Sequence, residues 1–177
     1  MINLFRRPYE YLRSLALKYL IPDHIYGGIR DVDVGMLMRA GISGLIIDID
    51  NTLAAPGVKR PDEAALHFLY RARDMGCRIC LLSNALRGRV ARFSSGVGIY
   101  AVARAKKPAR AGFIKALRLL GLDASQTCVI GDQLFTDILG AKRLGIKAVY
   151  TRPITRRESF FIMLKRIPEL FLLRKFT

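Results

Sequence analysis

Short apolar runs alternate with longer segments of helical periodicity between residues 44 and 150. The apolar runs predict strands at 44–49, 78–82, 99–103, 127–130 and 147–150. The periodic segments predict helices at 62–75, 86–93, 109–120 and 135–144. Strands and helices that alternate at this spacing are typical of right-handed βαβ units. The pattern therefore predicts an α/β fold with a five-stranded parallel sheet and helices on both faces.

Two flanking segments differ from this core in their charge. Residues 1–30 and 155–177 both interleave apolar positions at helical spacing with lysine and arginine. We expect the first to be a basic amphipathic segment and the second a basic amphipathic helix, on either side of a core at 31–154. Each could bind an anionic membrane or pack on the core, and the pattern leaves both alternatives open.

Composition narrows the choice of partner. The chain has 177 residues, 51% of them hydrophobic, and a net charge of +16. This charge favours an acidic partner, which could be a nucleic acid, an anionic membrane surface or a phosphorylated substrate. No apolar run reaches the roughly 20 residues that cross a bilayer, and the first residues lack a secretion signal. We therefore expect a cytoplasmic protein; binding of its basic ends to an anionic membrane would place it peripherally on the inner face of that membrane.

Two of the cysteines are predicted to lie in the hydrophobic core. Cys77 and Cys80 form a CxxC, which is a pattern of redox and zinc sites. They belong to an apolar run that reads as a strand, and their odd spacing places them on opposite faces of it. The pair is therefore expected to pack in the interior.

Carboxylates follow two of the predicted strands. Asp48 and Asp50 end the first strand, Asp132 ends the fourth, and Asp137 lies one turn into the next helix. The carboxyl ends of parallel strands form the ligand-binding edge of an open α/β sheet. Clustered carboxylates need a cation or a shared proton, and hard oxygen ligands without suitable histidine or thiol favour Mg²⁺.

A hydroxyl and an ammonium group are expected at the same edge. Ser83 and Asn84 end the second strand, and Lys106 and Lys107 follow the third. Together with the carboxylates and a metal, these groups are what phosphoryl transfer needs. The spacing alone does not choose between the two lysines.

At this point the chain resembles the haloacid dehalogenase superfamily, whose four motifs occur here in order. They are Asp48-Ile49-Asp50-Asn51-Thr52, Ser83-Asn84, Lys107-Pro108, and Gly131-Asp132-Gln133-Leu134-Phe135-Thr136-Asp137. The resemblance implies a Rossmann-like fold with Asp48 as the nucleophile and Asp50 as general acid and then base. It also implies that Asp48, the backbone carbonyl of Asp50 and Asp132 hold Mg²⁺, and that Asp137 supports this metal site.

The same resemblance assigns the phosphate-binding groups. It implies that Thr52, Ser83, Asn84 and Lys107 bind the phosphoryl oxygens. Lysine before proline is the usual third motif, which favours Lys107 over Lys106. The second aspartate of the first motif is absent from dehalogenases and transport ATPases of the superfamily, so Asp50 points to phosphate monoester hydrolysis.

A narrower resemblance covers about residues 31–154. The runs at 50–53 and 131–137 are similar to the subfamily IIIA phosphatases of the YqeG type, which include phosphatidylglycerophosphate phosphatases. Neither 53–64 nor 85–106 is long enough to hold a cap domain, so the site is expected to be open. Together with an open site between basic ends, this resemblance implies hydrolysis of phosphatidylglycerophosphate to phosphatidylglycerol. The alternatives are a phosphatase for nucleic-acid ends or other phosphomonoesters, and a non-catalytic binding module.

Overall fold

The structure is a computed structural model that describes residues 6–155 together with Glu169 and Leu172. The strands are β1 (His24–Tyr26), β2 (Gly44–Ile47), β3 (Arg78–Leu82), β4 (Tyr100–Val102), β5 (Thr127–Gly131) and β6 (Lys147–Thr151). The α-helices are α1 (Arg6–Leu20), α2 (Val34–Arg39), α3 (Glu63–Asp74), α4 (Arg87–Ser95), α5 (Arg110–Leu120) and α6 (Leu139–Lys142). A π-helical turn, Leu134–Ile138, precedes α6.

All strands are parallel and form one sheet in the order β1-β6-β5-β2-β3-β4. The α/β prediction is confirmed, but the described residues form a sheet of six strands rather than five. The missed strand, β1, pairs with β6 through Ile25 and Tyr150. It was missed because three residues with a histidine at one end are too short for a continuous apolar run. The sheet therefore starts before residue 31, where the sequence pattern placed the beginning of the core.

The topological switch point of the sheet lies between β2 and β5. From β2 the chain continues to β3 and β4 on one side, whereas from β5 it continues to β6 on the other. Ile47 of β2 pairs with Ile130 of β5, so the residues that follow both strands leave the sheet side by side. Crevices at such points, outside the carboxyl ends of the strands, are where open α/β sheets bind ligands.

Both faces of the sheet are buried, as continuous apolar strands predict. Leu45 and Ile47 contribute to a core with Phe68 of α3 and Phe93 of α4. Ile46 points the other way, into a second core formed with residues of α5 and α6. Because successive side chains alternate between faces, one short strand supplies both cores.

The carboxyl end of α5 shows how local sequence ends a helix. Gly121 lies directly after α5 with φ +62°, a left-handed conformation that glycine adopts without steric cost. Its N–H donates to carbonyls of the last turn. This cap turns the chain back towards the start of β5, whose other end lies at the ligand-binding edge.

The amino-terminal helix lies against the body of the protein. Helix α1 contacts α6 and the π-helical turn. Among the described residues no helix is both long and apolar enough to cross a bilayer. The predicted basic helix at 155–177 lies outside the described residues, apart from Thr155, Glu169 and Leu172. Leu172 packs against the second core, and Glu169 is buried.

The cysteines occupy the predicted core positions. Cys77 belongs to one core and Cys80 to the other, so they lie on opposite faces of the sheet. Both thiols and that of Cys128 are free and buried. Burial raises the pKa of Cys80 and of Cys128 to about 12. These positions do not fit a redox pair or a zinc site.

We predict that the thiols of the folded protein resist chemical modification. At pH 8 the fraction of a thiol of pKa 12 that is present as thiolate is about 10⁻⁴, whereas for an ordinary cysteine this fraction is about a quarter. Cys80 and Cys128 should therefore react with a disulfide reagent only after unfolding in urea, and burial should also retard Cys77. Rapid, stoichiometric modification of Cys77 and Cys80 in the native protein would contradict their placement in the core.

Candidate active site

Three carboxylates meet at the switch point. Asp48 follows β2, and its N–H donates to the carbonyl of Ile130 in β5 at 2.9 Å. Asp132 directly follows β5, and Asp137 lies in the π-helical turn. One carboxylate oxygen from each of Asp48, Asp132 and Asp137 lies within 4.8 Å of the others, and all three residues are buried. The structure thus brings together the acidic residues that follow two different strands.

Gly131 allows Asp137 to approach this closely. A Cβ atom at Gly131 would lie 2.4 Å from Cγ of Asp137, which is well inside van der Waals contact. Asp137 is then held by the backbone N–H of Gln133 at 3.3 Å and the hydroxyl of Thr136 at 3.3 Å. The glycine before Asp132 therefore makes room for the second carboxylate of the same motif.

Lys107 lies among these carboxylates. Its Nζ donates to Oδ1 of Asp48 and to Oδ1 of Asp137, at 2.6 Å in both cases. Burial alone would lower the pKa of Lys107, but Asp137 and Asp48 outweigh it and raise this pKa. Lys106 is exposed instead. Of the two lysines, Lys107 therefore faces the site and Lys106 does not.

The carboxylate of Asp48 lies in a buried and acidic environment. Burial raises the pKa of Asp48 well above its ordinary value; Lys107 lowers it, and the nearby carboxylates of Asp137 and Asp132 raise it again. Three carboxylates and one ammonium would carry a formal charge of −2 when ionised. A divalent cation would neutralise this charge, and an all-oxygen donor set fits Mg²⁺. Asp48, Asp132 and Asp137 are the residues that could hold it.

Asp50 lies outside this carboxylate cluster, at the entrance to the site. Ser83 donates its hydroxyl to Oδ2 of Asp50 at 3.4 Å, and the guanidinium of Arg89 donates to Oδ1. Ser83 in turn accepts the N–H of Ala85 at 3.0 Å, which fixes its hydroxyl. Asp50 is therefore oriented from two sides by residues that follow β3. The contribution of Asp50 to the metal site, which the resemblance assigned to its backbone carbonyl, stays a prediction.

Thr52 and Asn84 contact other site residues. The hydroxyl of Thr52 donates to Oδ1 of Asp132 at 3.4 Å. Oδ1 of Asn84 accepts the backbone N–H of Lys107 at 2.7 Å, and its amide nitrogen donates to the carbonyl of Lys107 at 3.4 Å. The resemblance implied that Asn84 binds phosphate, whereas in the structure its side-chain amide is bound to the backbone of Lys107. Asn84 thereby positions the lysine.

Comparison with known proteins places this site in a family. A profile described as haloacid dehalogenase-like hydrolase matches residues 58–145. The chain is 29% identical to the probable phosphatase YqeG of Bacillus subtilis over 84% of this chain and 87% of the relative. It is 31% identical to the chloroplastic phosphatidylglycerophosphate phosphatase 1 of Chlamydomonas reinhardtii, over 98% of this chain and 67% of that protein. The chain belongs to the haloacid dehalogenase-like hydrolases.

Within these hydrolases the chain is of the YqeG type, and its relatives indicate that it is a phosphatase. The fold agrees with that of the cobalt-bound deoxy-D-mannose-octulosonate 8-phosphate phosphatase of Haemophilus influenzae. That structure has a TM-score of 0.53 and 13% identity, over 76% of this chain and 89% of the other. Asp48, Lys107 and Asp132, from three of the four motifs, lie in or next to the carboxylate cluster, and Ser83 from the remaining motif contacts Asp50 at its entrance. No cap domain is inserted within residues 6–155.

Three residues at or near the site make contacts that the sequence pattern did not predict. Arg89 contacts Asp50, but the sequence does not distinguish it from the other arginines of α4. Asn51 has φ +64° and accepts the N–H groups of Ile154 and Thr155 at 3.0 and 3.1 Å. Asparagine tolerates a positive φ better than most residues. Its presence after Asp50 is the sequence feature that could have indicated this backbone conformation. Glu169 accepts the N–H of Phe135 at 3.0 Å and was detectable only as an acidic residue within a basic segment.

Proposed function

We propose that the chain is a Mg²⁺-dependent phosphomonoester hydrolase in which Asp48 forms a phosphoaspartate. The observation that carries this proposal is the position of Asp48. Its carboxylate is buried, is bound by Lys107 at 2.6 Å, and lies next to two further carboxylates. A carboxylate held in this way is oriented for attack on phosphorus rather than for capping a helix.

In the first half-reaction Asp48 is the nucleophile. One of its carboxylate oxygens bonds to phosphorus as the bond from phosphorus to the leaving oxygen breaks. Asp50 gives its proton to that leaving oxygen. Lys107 and Ser83 are near enough to these two carboxyls to bind phosphoryl oxygens on which charge develops.

The second half-reaction releases phosphate. Asp50, now ionised, takes a proton from water, and the water oxygen attacks phosphorus. The bond between phosphorus and the Asp48 oxygen breaks, which regenerates the carboxylate and leaves inorganic phosphate. When bound, Mg²⁺ would supply positive charge that offsets the carboxylates and the phosphoryl oxygens. Arg89 keeps Asp50 at the entrance, where the leaving group departs.

We further propose phosphatidylglycerophosphate as the substrate, hydrolysed at the inner face of the membrane. Support comes from the relative of that name and from the absence of a cap domain over the site in residues 6–155. The net charge of +16 favours an anionic surface. A site without a cap suits a phosphate that projects from a bilayer.

A substrate panel tests this proposal. The purified protein should release phosphate from phosphatidylglycerophosphate in mixed micelles, lose this activity with a chelator, and regain it with Mg²⁺. Soluble phosphosugars and 5′- or 3′-phosphorylated oligonucleotides serve as competing substrates. Efficient turnover of either with none of the lipid would overturn the lipid assignment but leave the phosphatase chemistry intact.

A further inference from the structure

Three exposed aliphatic side chains surround the entrance to the site. Val58, Leu86 and Ile154 are 41%, 63% and 54% exposed, respectively. They belong to the loops that follow β2, β3 and β6, all at the carboxyl edge of the sheet. We call these three residues the apolar rim. Water-exposed side chains of this size are commonplace singly, but grouped around one entrance they indicate an interaction surface.

Hydrogen bonds tie the apolar rim to Asp50. The backbone N–H of Arg89 donates to the carbonyl of Leu86 at 3.1 Å, and its side chain donates to the carbonyl of Val58. The same side chain also binds Asp50. The third rim residue is tied to the neighbour of Asp50 in the sequence: the N–H of Ile154 donates to the carbonyl of Asn51 at 3.0 Å. The rim is therefore anchored to the residues that frame the general acid.

The charges beside the apolar rim have one sign. Lys59 follows Val58, Arg87 follows Leu86, and the N–H of Arg104 donates to the carbonyl of Ala85 at 3.0 Å. All three side chains belong to exposed residues, and none forms an ion pair with another residue that the structure describes. The stretches 51–61, 83–92, 103–110 and 152–155 contain no aspartate or glutamate. These stretches would not repel an anionic partner, and the carboxylate of Asp50 beside them is paired with Arg89.

We propose that the apolar rim and its basic neighbours dock the protein on an anionic lipid bilayer, with Asp50 facing the headgroups. Aliphatic side chains can enter the boundary between headgroups and acyl chains while lysine and arginine stay at the phosphate level. A nucleic acid fits less well, because single strands are bound by aromatic stacking and no rim residue is aromatic. The proposal deepens the lipid substrate proposed above and rests on it, since it explains how the phosphate reaches Asp48.

Single tryptophans test the contact directly, because the chain has none of its own. The emission of Leu86→Trp reports whether the apolar rim contacts the vesicles. Met75→Trp is the matched control, since Met75 is 40% exposed and follows α3 at the opposite edge of the sheet. With vesicles of phosphatidylglycerol and phosphatidylcholine, emission from Leu86→Trp should move to shorter wavelength and be quenched by brominated acyl chains. Emission from Met75→Trp should not change. Circular dichroism checks that both variants are folded.

Co-sedimentation with the same vesicles measures how much the apolar rim and its basic neighbours contribute to membrane binding. Val58→Ser, Leu86→Ser and Ile154→Ser together should lower the partition coefficient by about 100-fold, and Met75→Ser should not change it. Lys59→Glu with Arg87→Glu should also weaken binding, most strongly at low salt. These vesicles carry no phosphomonoester, so the result does not depend on whether the lipid is hydrolysed.

Three outcomes would overturn the proposal. The full chain could fail to bind the vesicles. It could bind without a change in Leu86→Trp emission, which would assign attachment to another surface. Emission from Leu86→Trp could instead respond to an oligonucleotide and not to vesicles, which would favour a nucleic-acid partner.

Discussion

Asp48→Asn is expected to lower kcat for phosphomonoester hydrolysis by about 10⁴-fold or more, because it removes the nucleophile. The amide has the same shape as the carboxylate, and Lys107 keeps its contact with Asp137 at 2.6 Å. The fold should therefore be retained. Steady-state kinetics with the purified variant, together with its thermal unfolding midpoint, measure both effects.

Asp74→Asn is the matched control for this substitution. Asp74 is exposed at the end of α3, so the same change of charge there should leave kcat within about twofold and stability within about 0.5 kcal/mol. Retention of substantial turnover by Asp48→Asn would contradict the assigned nucleophile and would favour direct attack by water.

Lys107→Met should destabilise the protein and also abolish turnover. The substitution leaves the buried carboxylates of Asp48 and Asp137 without their ammonium partner. Removing one member of a buried ion pair typically costs about 3–5 kcal/mol, because the remaining charge stays unpaired. Unfolding in urea without divalent cations measures this loss. Mg²⁺ should restore part of the stability, because it would neutralise the same carboxylates.

Lys106→Met provides the neighbouring control. Lys106 has φ +54° and is exposed, so methionine meets the same backbone strain without losing a buried partner. We expect a change in unfolding free energy of less than about 0.5 kcal/mol. Equal destabilisation by the two substitutions would show that the effect of Lys107→Met comes from the loop rather than from the buried ion pair.

Much of the fold could be predicted because burial on both faces gives parallel strands an unbroken apolar sequence. The run at Arg78–Leu82 was predicted with the bounds that the structure shows. The strand His24–Tyr26 lies at the edge of the sheet and is only partly buried, so it carries no such signal. The π-helical turn Leu134–Ile138 was predicted as ordinary helix, since apolar spacing does not report one extra residue in a turn.

The site was predictable where a residue follows a strand directly. Asp48 and Asp132 could be placed together because parallel strands end at one edge, and the structure brings them together. The direction in which a side chain points is a tertiary property. Asn84 follows a strand as well, yet its amide binds the backbone of Lys107. Arg89 reaches Asp50 from a helix, and nothing local to its sequence indicates that contact.

Trapping of the covalent intermediate is the most direct test of whether Asp48 forms a phosphoaspartate. The protein is mixed with a labelled phosphomonoester and Mg²⁺, quenched in acid within one turnover, and digested for mass spectrometry. We expect acid-stable, hydroxylamine-labile phosphate on the peptide that contains Asp48, and none in Asp48→Asn. Phosphate release in a single turnover with no label on the protein, or label on another residue, would contradict it.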